Sequence, residues 1–266
     1  MESEIKIRER QIGAFEMVKA NEKIVSINMV LKRDLPTLEA IREAFDINNI
    51  LVKRLDMNYA EDLDAWVVNA FLDLSKSHYE ESELEVFLRR LACVEQLKVS
   101  KGQRIVHQTL FPIMNGKERL VLYNVERMHF IRSELERILT PAGVAVIFYN
   151  MGLENGRAIH KMFTERLESG LMTTEQRLEL FRRHHIAIGV GIFDFTGLDG
   201  SSGLVRMYDD YECDGVKKDR PECHQARGLL SGFLGSEWKT DKVKVVELRC
   251  RAIGDLHCEF AIEIKK

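Results

Sequence analysis

The sequence predicts an α+β protein of two domains. A ferredoxin-like βαββαβ domain over residues 22–100 is followed by a mixed α+β domain, with an antiparallel sheet and helices, over residues 101–266. Three observations carry this. Apolar alternation and helical spacing over residues 22–100 run strand-helix-strand-strand-helix-strand, the split βαβ order. Lys101-Gly102-Gln103 then interrupts the pattern with turn-forming residues. Near the end, two apolar-rich runs flank Ala252-Ile253-Gly254-Asp255, the signature of a hairpin.

The elements follow in order. Residues 1–21 form an N-terminal segment in which Ile5, Ile7, Ile12, Phe15 and Val18 predict a helix over 3–20, ended by Asn21. Ile24 to Leu31 alternates as a strand. Asp34-Leu35-Pro36 opens a helix with a cap residue and an early proline, and Leu38, Ile41, Ala44 and Phe45 give it an apolar face. Ile50 to Leu55 and Ala65 to Leu72 are the next strands, Glu83 to Leu91 a second helix, and Val94 to Val99 a fourth strand. In the second domain Arg119 to Tyr123 reads as a strand and Met128 to Leu139 as a helix. Val144 to Lys161 is a long helix whose Gly152 and Gly156 share a face suited to close packing in a core or dimer. Thr173 or Thr174 caps a helix reaching about Arg183, Ile186 to Phe195 and Val205 to Asp209 read as strands, and Gln225 to Leu234 as a helix before the hairpin.

Composition narrows the function. A hydrophobic content of 45% with 30% charged residues fits a soluble globular protein with a real core. A net charge of -3 offers no electrostatic case for nucleic acid. No apolar run approaches the ~18 residues of a membrane span. Met1-Glu2-Ser3-Glu4 is acidic and unlike a secretory signal, so the expected compartment is the cytoplasm. Thiols stay reduced there, and an odd count of five cysteines favours metal or redox roles over a disulfide framework.

Cys250 and Cys258 are equidistant from Gly254, so a hairpin centred there sets them opposite each other on one face. Two thiolates so placed can share a metal ion, and Cys223 can supply a third. Buried reduced cysteines that merely pack, and a redox pair of close thiols, are the competing readings. Cys213, in the polar stretch Tyr211-Glu212-Cys213-Asp214-Gly215, reads as an incidental surface cysteine.

Two resemblances add to this. Asp34-Leu35-Pro36-Thr37-Leu38-Glu39-Ala40-Ile41 resembles the turn into the first helix of ACT regulatory domains, which implies the ferredoxin-like fold. Those domains commonly have glycine where this chain has Thr37, so amino-acid binding does not follow. The second lies in Gly152-Leu-Glu-Asn-Gly156, Glu222-Cys223-His224, Gly228-Leu229-Leu230-Ser231-Gly232 and Val246 to Phe260, with its Glu-x-x-Cys, Gly-Asp turn and Cys-x-Phe. These resemble the 4-vinyl-reductase domain family of predicted hydrocarbon-binding proteins, akin to the sensor domains of aromatic-responsive activators and to TRAPP subunits. The resemblance implies a structural Zn²⁺ held by Cys223, Glu247, Cys250 and Cys258. Glu247 and Cys250 are three apart and point to opposite faces of a regular strand, so a β-bulge must re-aim one; without it His224 or His257 is the substitute.

Other candidates have structural explanations. Arg182-Arg183-His184-His185 fits a helix C-terminus. Phe148, Tyr149, Met162, Phe163, Phe193 and Phe195 are pocket or core. Gly189 and Gly191 lack the third glycine and following helix of a dinucleotide loop. No catalytic triad or P-loop is visible. The expected function is a non-catalytic regulatory or sensor protein that binds a small apolar, hydrocarbon-like or aromatic ligand, forms a homodimer and acts through a protein effector. The alternatives are a vinyl reductase acting on a tetrapyrrole and an assembly adaptor like the TRAPP subunits.

Overall fold

Ile24 to Leu31 is buried along nearly its whole length, as only a central strand can be. The computed structural model describes residues 15–17, 22–33, 36–101, 105–107, 114–115, 118–166 and 172–265, in two compact units divided after Val121. In the first, β1 (Phe15–Met17) precedes β2 (Ile24–Leu31), α1 (Pro36–Ile47), β3 (Leu51–Ala60), β4 (Ala65–Asp73), α2 (Glu81–Arg89) and β5 (Val94–Lys101). The sheet order is β3-β4-β2-β5 with every neighbour antiparallel, which is the ferredoxin-like arrangement. Val25, Ile27, Met29 and Leu31 alternate onto one face and meet Leu84 and Leu88 of α2 and Ile41 and Phe45 of α1.

Two expectations change here. Phe15–Met17 is a strand, paired antiparallel with β6 (Ile105–His107), where a helix over 3–20 is predicted; the remainder of 3–20 lies outside the described residues. That pairing returns the chain beyond Lys101 to the first unit, which continues through β7 (Met114–Asn115) and β8 (Glu118–Arg119) to Val121. The composition break at 101–103 is therefore a turn between paired strands rather than the end of the unit.

The second unit holds α3 (Val125–Ile138), α4 (Pro141–Arg166), α5 (Thr174–Ala187), β9 (Ile192–Thr196), β10 (Ser202–Tyr208), α6 (His224–Glu237), β11 (Val243–Arg249) and β12 (Cys258–Ile264). Its antiparallel sheet has the order β11-β12-β10-β9. Val205, Met207, Phe260 and Ile262 of the sheet form one core with Leu230, Phe233 and Leu234 of α6.

Helix α6 is a buried helix, and glycine sets how it is covered. A β-carbon on Gly152 or Gly156 of α4 would strike the carbonyl of Gln225 or Leu229, and one on Gly228 or Gly232 of α6 would strike that of Tyr149 or Leu153. The close packing expected of Gly152 and Gly156 is thus met inside the chain, by a second small-residue pair on α6.

Two strand predictions fail. Ile186 and Ala187 belong to α5, and the strand begins only at Ile192. Leu178, Phe181 and His185 are buried at helical spacing, and this core contact outweighs the β-branched run that follows. Gly189, at φ 76°, lies just past the last turn, where the left-handed backbone ends a helix. Leu120 to Tyr123 is exposed and has no regular structure beyond β8.

Candidate metal centre

Four cysteine thiols converge where the hairpin meets the start of α6: Cys213, Cys223, Cys250 and Cys258, all buried, with sulfurs within 4.8 Å of one another. Cys223 Sγ lies 3.3 Å from both Cys213 and Cys258 and 3.7 Å from Cys250. Cys213 Sγ lies 3.5 Å from Cys250 and 3.8 Å from Cys258. Four thiolates bound tetrahedrally at ~2.3 Å from one zinc stand about 3.8 Å apart. The cage therefore has the dimensions of a single-ion site, and its donors are compatible with a metal.

Local structure explains each position. Arg249 pairs with Glu259 across the hairpin, so Cys250 and Cys258 stand opposite each other one step further in. Gly254 turns the chain at φ 106°, behind a 3-10 turn over Arg251–Ile253, and Asp255 Oδ2 accepts from the Cys250 N–H at 2.8 Å. Cys223 is the N-cap residue of α6. Cys213 ends a 3-10 turn over Tyr211–Cys213 in which the Asp210 side chain accepts from Glu212 N. Glu212 in turn accepts from the N–H groups of Gln225 at 3.0 Å and Ala226 at 2.8 Å, where a carboxylate complements the first turn of α6. Cys213 is therefore no surface residue. Its polar neighbours, which suggest an exposed loop in the sequence, are buried carboxylates that fasten the turn to α6.

A β-bulge interrupts the β11–β12 pairing between Glu247 and Arg249. It turns the Glu247 carboxylate inward, where it lies against the thiols of Cys223 and Cys250 and its Oε2 accepts from the Cys223 N–H at 3.3 Å. His224 instead contacts Arg227, and His257 lies 3.7 Å from Glu259, so neither imidazole joins the sulfur cage.

The electrostatics are those of a desolvated anionic site. Burial pushes the Glu247 carboxyl up to about 9, and burial together with the neighbouring Asp210 pushes Glu212 up to about 8. Hydrogen bonds from Cys213, Cys223 and Cys258 hold the Cys250 thiol far below its ordinary range. Hydrogen bonding with Cys213, Cys250 and Cys258, together with burial, drives Cys223 far above it. The bare cage thus favours one thiolate, and a cation is what would allow more. Oδ2 of Asp210 and Oε1 of Glu247 are buried without a hydrogen-bond partner beside these thiols. Helix α3 braces the same region: Arg132 pairs with the buried Glu222, which adjoins Cys223, and His129 Nε2 lies 2.9 Å from the Tyr211 carbonyl.

The aromatic candidates divide. Phe163 and Phe193 lie in the core with Phe181 and Phe233, and the Phe181 ring centroid is 4.4 Å from Phe233 and 5.0 Å from Phe193. His185 joins them as a buried ring 4.0 Å from Phe181, with Nδ1 on the Phe181 carbonyl at 2.7 Å, and not as a solvated helix-end cation. Phe195 and Met162 are half-buried against this cluster. Phe148 packs under Arg132 instead. Two cavities of the unit, of about 310 and 150 Å³, are walled largely by polar and charged side chains, Arg157 and Lys239 in one and His129 and Lys218 in the other.

Residues 204–264 match the family model of the 4-vinyl-reductase domain, and the chain carries that domain over the sheet and hairpin that hold the cage. The uncharacterized protein MJ0150 of Methanocaldococcus jannaschii is 27% identical over 124 residues, 46% of this chain and 66% of that relative, just short of two thirds of its length. Among solved structures, the phenol-responsive sensory domain of the transcription activator PoxR, crystallised with phenol, superposes with a TM-score of 0.51. It is 22% identical and covers 57% of this chain and 80% of its own, which establishes a shared fold. A vinyl-4-reductase family protein of Methanocaldococcus jannaschii also matches, at a TM-score of 0.37 and 14% identity, over 57% of this chain and 86% of that one.

Proposed function

We propose that this protein is a non-catalytic ligand sensor whose C-terminal unit binds a small apolar molecule and is held together by a structural Zn²⁺ ion. The observation that carries the proposal is the sulfur cage: donors that all come from the chain and close around one point, with no direction left for a substrate. Zn²⁺ suits such thiolates, and in this place the ion ties the hairpin to α6, so its binding energy is folding energy. The fold shared with the PoxR sensory domain supports ligand sensing. The Phe181–Phe193–Phe233 cluster, with Phe195 and Met162 half-buried at its margin, supports an apolar or aromatic ligand. The ferredoxin-like first unit, which resembles ACT domains in its strand order, supports a regulatory partner module in the cytoplasm. In this proposal the protein works as a homodimer that signals through an effector protein.

The test is metal content and ligand response in the full chain. Purification without added metal should give about one zinc per chain, lost in Cys258→Ser together with thermal stability. Titration with phenol and with toluene, followed by tryptophan fluorescence and calorimetry, should saturate for at least one of them. Reduced protein that contains no metal and binds neither compound would overturn the proposal.

A further inference from the structure

The cage offers five donors for the four positions of a tetrahedral ion. Four are the sulfurs of Cys213, Cys223, Cys250 and Cys258, and the fifth is the Glu247 carboxylate. The sulfurs already stand at the mutual distances of a closed shell, from 3.3 to 3.8 Å for the pairs that involve Cys213 or Cys223. Glu247 is engaged elsewhere: its Oε2 takes the backbone N–H of Cys223, while its Oε1 is buried with no partner.

Resting on the metal reading above, we propose that Cys213, and not Glu247, is the fourth ligand of the ion, and that Glu247 stands outside the shell as a positioning residue and reserve donor. Three physical arguments support the division of roles. First, Cys213 is placed rather than incidental. The Asp210 side chain caps its turn, and Glu212 binds that turn to the first N–H groups of α6, two residues from Cys223. A loop that spends two buried carboxylates on the position of one thiol fixes that thiol within the cage. Second, thiolate is the softer donor, and a borderline-soft ion offered sulfur and oxygen at equal reach takes sulfur. Third, the Glu247 contact to the Cys223 N–H does what an outer partner does for a metal ligand, holding the residue that bears it. Its unpartnered Oε1 is the atom able to enter the shell if a thiolate is withdrawn. The motif resemblance alone assigns the ligands as Cys223, Glu247, Cys250 and Cys258; the extra thiol is what sets this chain apart.

Cobalt substitution of the full-length protein tests this directly. The intensity of sulfur-to-cobalt charge transfer counts thiolates, and the visible bands separate four-sulfur from three-sulfur-one-oxygen sites. Wild type should show a four-sulfur spectrum, unchanged in Glu247→Gln at one cobalt per chain. Cys213→Ser should keep the cobalt, lose about a quarter of the charge-transfer intensity (one thiolate of the tetrahedral shell) and shift to the mixed-donor spectrum. The double variant should bind cobalt far more weakly than either. A wild-type spectrum with one oxygen donor, unaffected by Cys213→Ser and altered by Glu247→Gln, would overturn the assignment while leaving the metal site intact. That wild-type spectrum decides the matter even if a variant fails to fold. Uptake of neither cobalt nor zinc would overturn the metal reading and this assignment together.

Discussion

Gly228 of α6 sits directly against the backbone of Tyr149 in α4: a β-carbon added to Gly228 would fall inside the contact distance of the Tyr149 carbonyl oxygen. Gly232 stands in the same relation to Leu153, and Gly152 and Gly156 answer from the other side. Backbone, not a flexible side chain, blocks each position. Gly228→Ala should therefore force the helices apart and destabilise the unit by about 1–3 kcal/mol, although alanine is the better helix former by about 1 kcal/mol. Urea unfolding measures it; an unchanged or raised midpoint would mean the helices are not in this contact.

A second lock joins three helices. Glu237 of α6 accepts from Arg177 of α5, Thr174 at 2.6 Å and His160 of α4 at 3.0 Å, with its side chain only 3% exposed. Burial alone would raise this carboxyl, but the hydrogen bonds from Arg177, His160 and Thr174 prevail and hold it well below the ordinary range. Arg177→Leu leaves the carboxylate buried without its main partner, and should cost roughly 3–5 kcal/mol. Glu237→Gln, which retains hydrogen-bonding capacity, should cost less. Equal losses in the two variants, measured by denaturant unfolding, would contradict the ionic character of the lock.

Acid should weaken the second unit through His185. Burial pushes its pKa down from 6.5 to about 4. At neutral pH it is uncharged in both folded and unfolded chains, and its stabilising share is complete. As pH falls below 6.5 the unfolded chain takes up the proton first, and stability drains until the folded ring titrates near 4. The loss across that window is about 3 kcal/mol. In His185→Phe the fall in stability between pH 7 and pH 4 should be shallower by that amount, read from unfolding curves at each pH.

The turn of the hairpin makes its own prediction. Gly254 holds φ 106°, which an L side chain adopts only at a cost of about 1–2 kcal/mol. Gly254→Ala should lower the melting temperature and, by shifting Cys250 against Cys258, speed the loss of bound metal to a chelator. A variant with wild-type metal release would show that the turn does not set the spacing of the two thiols.

Much of this architecture is legible in the sequence wherever periodicity and burial agree. The four strands and two helices of the first sheet follow from alternation and spacing, because each has one partner layer. So does the opposition of Cys250 and Cys258, which needs only the symmetry of a hairpin. Ile186 and Ala187 are misread because a β-branched run looks like a strand until Phe181 and His185 are seen to face one core. Cys213 is missed for the converse reason. Asp210 and Glu212 are acidic and mark an exposed loop by composition, yet both are buried. A clue is present in the turn-forming Asp210 and in Glu212, which matches the N–H groups at the start of α6, but only tertiary structure brings that loop to the helix.

The bulge at Glu247–Arg249 hands control of the cage to a residue that touches none of it. Leu248 is 54% exposed, and its side chain is dispensable by any measure of packing. Its peptide unit is what breaks the two-residue rhythm of the strand, so that Glu247 and Cys250 both reach the interior. Evolution can alter Leu248 to almost any residue without consequence, yet cannot delete it. The information for the cage is written here as a count of residues, so a comparison that scores side chains and ignores gaps would overlook the position on which the geometry turns.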